Sequence, residues 1–262
     1  MSTIDITGAD DGSEPISRSG SIDGIEIRTL TTASDMKVLG EVFQQVWGSA
    51  TQLMTVEILM AITHSGGYVA AAYEKRNGEE RMLGASVAIL ALHHGEQSLH
   101  SHITGLLPGA RRSGLGRAMK LHQQAWARDH GFDWILWTFD PLVRRNAWFN
   151  IAVLGAEVHE YLPSFYGTMN DAINAGDESD RLLMAWPTTT DPDAPLRDGS
   201  SAGDGRILIP TPDDIVALRR TDLSEVERWR VQTRQALAGA LGRGDRVVGF
   251  TAAGDYVVEP AS

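Results

Sequence analysis

Between Ser98 and His130 the sequence gathers the residue types that hold a phosphate. Arg111-Arg112-Ser113-Gly114-Leu115-Gly116-Arg117 carries three arginines and two glycines in seven residues. Glycine lets the main chain approach a ligand with no Cβ in the way. Ser98 to Leu107 reads as a strand, ended by Pro108-Gly109. Leu115, Met119, His122, Ala125 and Trp126 then recur at helical spacing, which predicts a helix from Ser113 to about His130 with Gly131 as its cap. The first amides of a helix lack internal partners and carry partial positive charge, so this junction suits a di- or triphosphate. The plain alternative is a solvated basic patch.

Spacing narrows the ligand. Gly109 and Gly114 match half of a Walker loop, but Leu115-Gly116 stands where Lys-Ser/Thr is required. Gly114 and Gly116 begin a dinucleotide fingerprint, but Met119 occupies its third glycine position. What remains is Arg-x-x-Gly-x-Gly between a strand and a helix.

The rest of the chain constrains the partners. Its net charge is −11, which disfavours nucleic acid through repulsion of phosphate. There is no cysteine, so disulfides, thiolate metal sites and a cysteine nucleophile are excluded. No run approaches the ~20 apolar residues of a membrane span. Met1 to Ser21 is polar, without the apolar core of a secretory signal, so the expected location is the cytoplasm. Hydrophobic residues make up 42% of the 262, enough for a substantial core. His93-His94 sits at a turn without a third ligand nearby in sequence, so no metal is expected.

The elements around the loop follow from periodicity. Strands are expected at 24–30, 68–73, 82–92, 98–107, 134–139, 158–162 and 182–186, with helices at 32–47, 52–64, 113–130 and 143–154. That order is a mixed α/β sheet flanked by helices. Residues 1–22 have little to bury and read as a disordered tail, leaving 23–187 as the main domain. Residues 188–205 are rich in Thr, Asp, Pro and Gly and read as a linker. Residues 206–262 read as a small accessory α/β module. Asp222 and Glu225 there form a capping-box pattern, and a hairpin is expected around Gly254-Asp255.

The loop and its setting resemble the acyl-CoA signature of the GNAT acyltransferase superfamily, (Arg/Gln)-x-x-Gly-x-(Gly/Ala). The resemblance covers about 24–187. Ser101-His102, Trp137 to Leu142, Asn146, Asn150 and Leu154-Gly155-Ala156 are similar to a branch whose members include acyltransferases encoded beside N-acylamino acid racemases. It implies a sheet with a splayed strand pair, acyl-CoA (acetyl-CoA or succinyl-CoA) as co-substrate, and a small amine, such as an amino acid, as acceptor. A homodimer is common in that superfamily. A non-catalytic acyl-CoA-binding module is the alternative reading.

The resemblance also distributes roles. Arg111 to Arg117 would hold the pyrophosphate. Amides near Leu106 and Leu107 would meet the carbonyl oxygen and the pantetheine arm, with Asn146 beside that arm. His100, Trp137 and Asn150 would line the acceptor site. Many relatives place a carboxylate base on the strand before the loop. This strand offers His100 and His102 instead, and His102 is the expected base, although both suit an ordinary strand. The usual acid is a tyrosine four residues before the glycine that ends the next helix. Ile151 stands there, so Tyr166 is the expected substitute, with Tyr161 as the alternative. Asp180-Arg181 reads as a structural ion pair.

Overall fold

A computed structural model of the chain describes residues 4–5, 22, 24–110, 114–167, 177–200 and 205–261. In chain order the elements are β1 (Ile4–Asp5), β2 (Ile25–Thr29), α1 (Ala33–Trp47), α2 (Val56–His64), β3 (Tyr68–Arg76), β4 (Glu79–His93) and β5 (Glu96–Leu106). Then come α3 (Leu115–Asp129), β6 (Trp134–Phe139), α4 (Arg144–Ala147), β7 (Glu157–Leu162) and β8 (Arg181–Pro187). The chain ends with β9 (Ile207–Pro210), α5 (Ile215–Thr221), α6 (Leu223–Gly242), β10 (Arg246–Phe250) and β11 (Asp255–Glu259). This is the mixed α/β class that the periodicity predicts.

The described residues divide into two compact units, one of 4–136 with 187–193, the other of 137–186 with 194–261. The expected boundaries at 187 and 206 do not match this division. In the first unit β2, β3, β4 and β5 pair antiparallel in succession. β6 starts parallel to β5, through Leu99–Ile135 and His100–Leu136. Ile4 and Asp5 of the expected tail also lie parallel to β5, opposite Thr104 and Gly105.

Two cores cover the faces of this sheet. Met36, Leu39, Phe43 and Val46 form the buried stripe of α1 against Val69, Ala71, Val87 and Ile103. Burying each such side chain contributes about 1.5–3 kcal/mol. Thr32 caps α1 by accepting the Asp35 N–H. On the other face Leu115 and Met119 of α3 meet Ala72, Leu83 and Leu106. Alternate residues of β3 therefore serve opposite cores, as the strand pleat demands. Gly105 is required where β5 passes Trp47, since a Cβ there would lie 2.5 Å from the indole ring. The expected linker is packed at its start: Thr188 is 1% exposed and bonds to the Phe132 carbonyl, while Gln124 donates to the Thr190 carbonyl.

The second unit has strand order β6-β8-β7, with β7 and β8 antiparallel, and a separate antiparallel sheet β10-β11-β9. The helix expected over 143–154 begins as α4 and becomes a π-helix at Trp148–Val153. The Leu154 N–H accordingly reaches back five residues, to the Phe149 carbonyl. Residues 206–262 are not an accessory module here. Their helices bury arginines against carboxylates of 137–186, inside one unit.

Candidate active site

In the first unit β5 ends at Leu106 and a short turn of Pro108–Ala110 leads toward α3. Gly114 opens α3 at φ 70, the left-handed conformation that glycine adopts without steric cost. Among the described residues a Cβ at Gly114 would meet nothing within 4 Å, so its requirement is conformational. No side chain among the described residues caps this end of α3. The helix therefore starts with amides suited to an anion, next to Arg111, Arg112 and Ser113, which lie outside the described residues. Leu115 and Gly116 are buried, and the Arg117 guanidinium donates to the Pro192 carbonyl at 2.5 Å.

Leu106 and Leu107 are both buried. The Leu107 N–H donates to the Leu83 carbonyl at 2.8 Å. Antiparallel pairing with β4 thus takes the amide that the resemblance assigned to the substrate oxygen. That is a correction to the expected role of Leu107.

His100 and His102 lie on one side of β5, with ring centres 6.3 Å apart, and both are half-buried. Burial lowers the His100 pKa to about 4, with smaller contributions from His102 and Lys120. Burial also lowers His102. Both imidazoles are neutral near pH 7, the form a base needs. His100 is the weaker base, which favours His102 for proton transfer.

Lys120 was missed by reasoning from sequence. It lies fully buried on α3, its Nζ 3.1 Å from Ser101 Oγ and 3.0 Å from Gln123 Oε1. Burial pushes its pKa down to about 7. Lys120 lies off the stripe of Leu115, Met119 and His122, in the buried row Gly116, Lys120, Gln123 and Ala127, which the periodicity of apolar residues does not reveal.

The other candidates belong to the second unit. Trp137 is fully buried and packs edge-to-face on Trp186, with centroids 6.1 Å apart. That is a core position, which corrects its expected place against the acceptor. Asn146 is buried near the end of α4. Asn150 is fully buried in the π-helix, and among the described residues neither its amide nitrogen nor its oxygen has a hydrogen-bond partner. A buried amide left unpaired costs about 1–3 kcal/mol, and π turns recur at functional sites. Ile151 is buried, as an apolar residue in the usual tyrosine position should be.

Of the two tyrosines, Tyr161 is committed elsewhere. Its hydroxyl donates to Asp180 Oδ2 at 2.5 Å, and burial, then Asp180, raises its pKa. Tyr166 is half-buried, its hydroxyl 3.4 Å from Thr138 Oγ1 and its ring 5.3 Å from the Arg181 guanidinium carbon. Arg181 donates to the main-chain oxygen of Asp180, while the Asp180 carboxylate pairs with Arg234. The expected Asp180–Arg181 side-chain pair is replaced by this arrangement.

Among the described residues no helix is long and apolar enough to cross a membrane. No protein-family model and no curated protein matches the sequence. Solved structures do. The ribosomal-protein-S5-alanine acetyltransferase of Vibrio fischeri aligns with a TM-score of 0.51 and 14% identity, over 65% of this chain and 96% of its own. Arabidopsis thaliana NAA60, in complex with a bisubstrate analogue, aligns at 0.50 and 13%, over 62% and 97%. A GNAT superfamily phosphinothricin acetyltransferase from Sinorhizobium meliloti, in complex with acetyl-CoA, aligns at 0.48 and 17%, over 63% and 88%. The first two of these show the fold: the chain has a GNAT-like fold.

Proposed function

We propose that the chain is an acyl-CoA-dependent N-acyltransferase that moves an acetyl or succinyl group onto the amine of a small acceptor, an amino acid being the expected kind. The observation that carries this reading is Gly114 at φ 70, opening α3 after β5 in an acetyltransferase fold, within the sequence pattern Arg-x-x-Gly-x-Gly. Arg111 to Arg117 and the first amides of α3 take the pyrophosphate. Asn146 holds the pantetheine amides, and Asn150 supplies both a donor and an acceptor to the substrates.

The reaction is direct transfer. The acceptor nitrogen attacks the thioester carbon, the C–N bond forms and the C–S bond breaks. His102 takes the proton that the amine loses. The departing thiolate gains its proton from Tyr166, and solvent carries the proton of His102 back to the phenolate before the next turnover. Amide product and free CoA thiol account for all atoms, and tethering the donor supplies most of the positioning.

The test is release of free thiol when the protein is mixed with acetyl-CoA or succinyl-CoA and a panel of amino acids. Turnover with at least one pair is expected. A second reading, a non-catalytic acyl-CoA binder, draws on Ile151 in the tyrosine position and on the occupied Leu107 amide. It predicts calorimetric binding of acyl-CoA with no thiol released. Absence of both binding and release rejects the two readings together.

A further inference from the structure

We propose that Arg234, on α6, is a positioning residue for Tyr166, so that the C-terminal segment helps to build the acid side of the site. This rests on the acyl-transfer reading above.

The turn Pro163–Gly167 carries Tyr166, and its main chain is held from one side. The Ser164 N–H donates to Asp180 Oδ1 at 2.9 Å. The Phe165 N–H donates to the Ser179 carbonyl at 3.1 Å, and the Tyr166 N–H to Ser179 Oγ at 2.8 Å. Ser179 Oγ in turn donates to the Gly167 carbonyl at 2.6 Å. Two residues, Ser179 and Asp180, therefore set the path of the turn and the direction in which the phenol leaves it.

Asp180 is fully buried. A buried carboxylate needs a counter-charge, and Arg234 supplies it in a two-point grip. Nε lies 2.8 Å from Oδ2 and Nη2 lies 2.6 Å from Oδ1. The same guanidinium reaches Glu178. Three residues before Asp180, Asp177 is gripped by Arg219 of α5 and Arg230 of α6, with nearest contacts of 2.8 and 2.6 Å. The strap 177–180 is thus fastened to α5 and α6 through its carboxylates.

Ser164 makes the turn sensitive to this fastening. Its φ is 44, a left-handed conformation that a non-glycine residue holds only when its surroundings impose it. Without Arg234, Asp180 loses a charge partner and its hold on the Ser164 N–H weakens. The turn then relaxes, and the Tyr166 hydroxyl leaves its place beside Thr138 Oγ1. Misplacing a reacting group by about 1 Å costs up to roughly 100-fold in rate.

The experiment uses the full chain and the acyl-CoA and acceptor pair with the highest turnover. Arg234→Ala, Arg234→Lys, Tyr166→Phe and the double variant Arg234→Ala/Tyr166→Phe are compared, with melting curves confirming that each is folded at the assay temperature. The Arg234 side chain is 30% exposed, so its removal opens no internal cavity. Arg234→Ala should lower kcat about tenfold or more, with the KM for acyl-CoA within about twofold. Arg234→Lys should recover part of the loss, and the double variant should be no slower than Tyr166→Phe. Wild-type kcat in Arg234→Ala or in Tyr166→Phe, or losses that multiply in the double variant, would overturn the inference while leaving acyl transfer intact. A wild-type chain that releases no thiol would instead overturn the acyl-transfer reading, and the inference with it.

Discussion

His100 and His102 look equivalent in the sequence, two positions apart on β5, but burial separates them as bases. A base works in its neutral form, so activity should fall as pH drops through the pKa of His102, which lies below the ordinary 6.5. His102→Ala should lower turnover about 100-fold and abolish that acid limb, with little change in acyl-CoA affinity. A pH–rate profile of the variant that still falls below pH 6.5 would remove His102 as the base. At the phosphate loop, Gly114→Asp adds both a carboxylate and left-handed strain at the helix start. It should weaken acyl-CoA binding by roughly tenfold or more, as read by calorimetry.

Helix α3 does more than present the loop. Lys120 is buried on it with a pKa of about 7, against an ordinary 10.5. Between those values the unfolded chain holds a proton that the folded chain lacks, so stability should rise with pH across that window. Lys120→Met should lose the rise, and melting temperatures from pH 7 to 10 compare the two proteins. Parallel curves would show that Lys120 stays charged. The junction after β6 depends on charge as well. Burial works against the Asp140 carboxylate, but Arg230 and Arg219 outweigh it and hold its pKa well below the usual range. Arg230→Met leaves Asp140 and Asp177 under-compensated, and should cost about 3–5 kcal/mol in denaturant unfolding.

The division of the whole chain follows packing rather than composition. Residues 206–262 belong to a compact unit with 137–186, although 188–205 looks in sequence like a connector. A chain ending at Gly205 would lack Arg219, Arg230 and Arg234, stranding Asp140, Asp177 and Asp180. Hydrogen exchange should then show lost protection across β7 and β8. Retained protection would mean that the arginines are dispensable for folding. The strand and helix order was legible in the residue pattern, as were the Asp222 cap, whose Oδ1 accepts the Glu225 N–H at 3.0 Å, and the last hairpin. The two-unit division was not, because a Pro- and Asp-rich segment reads as a linker whether or not it packs.

Local patterns carried the reading a long way. Helical spacing, glycines at turns and the Arg-x-x-Gly-x-Gly loop depend on residues a few positions apart, and one sequence contains that information in full. The choices that differ from expectation depend on partners distant along the chain. The Leu107 amide is taken by Leu83 on a neighbouring strand. Trp137 is core because Trp186 packs on it. Asp140 finds Arg230 across 90 residues. Lys120 becomes a group of near-neutral pKa only once β5 closes over it. Burial and pairing are properties of the assembled chain, so they decided which candidate groups remain available for chemistry.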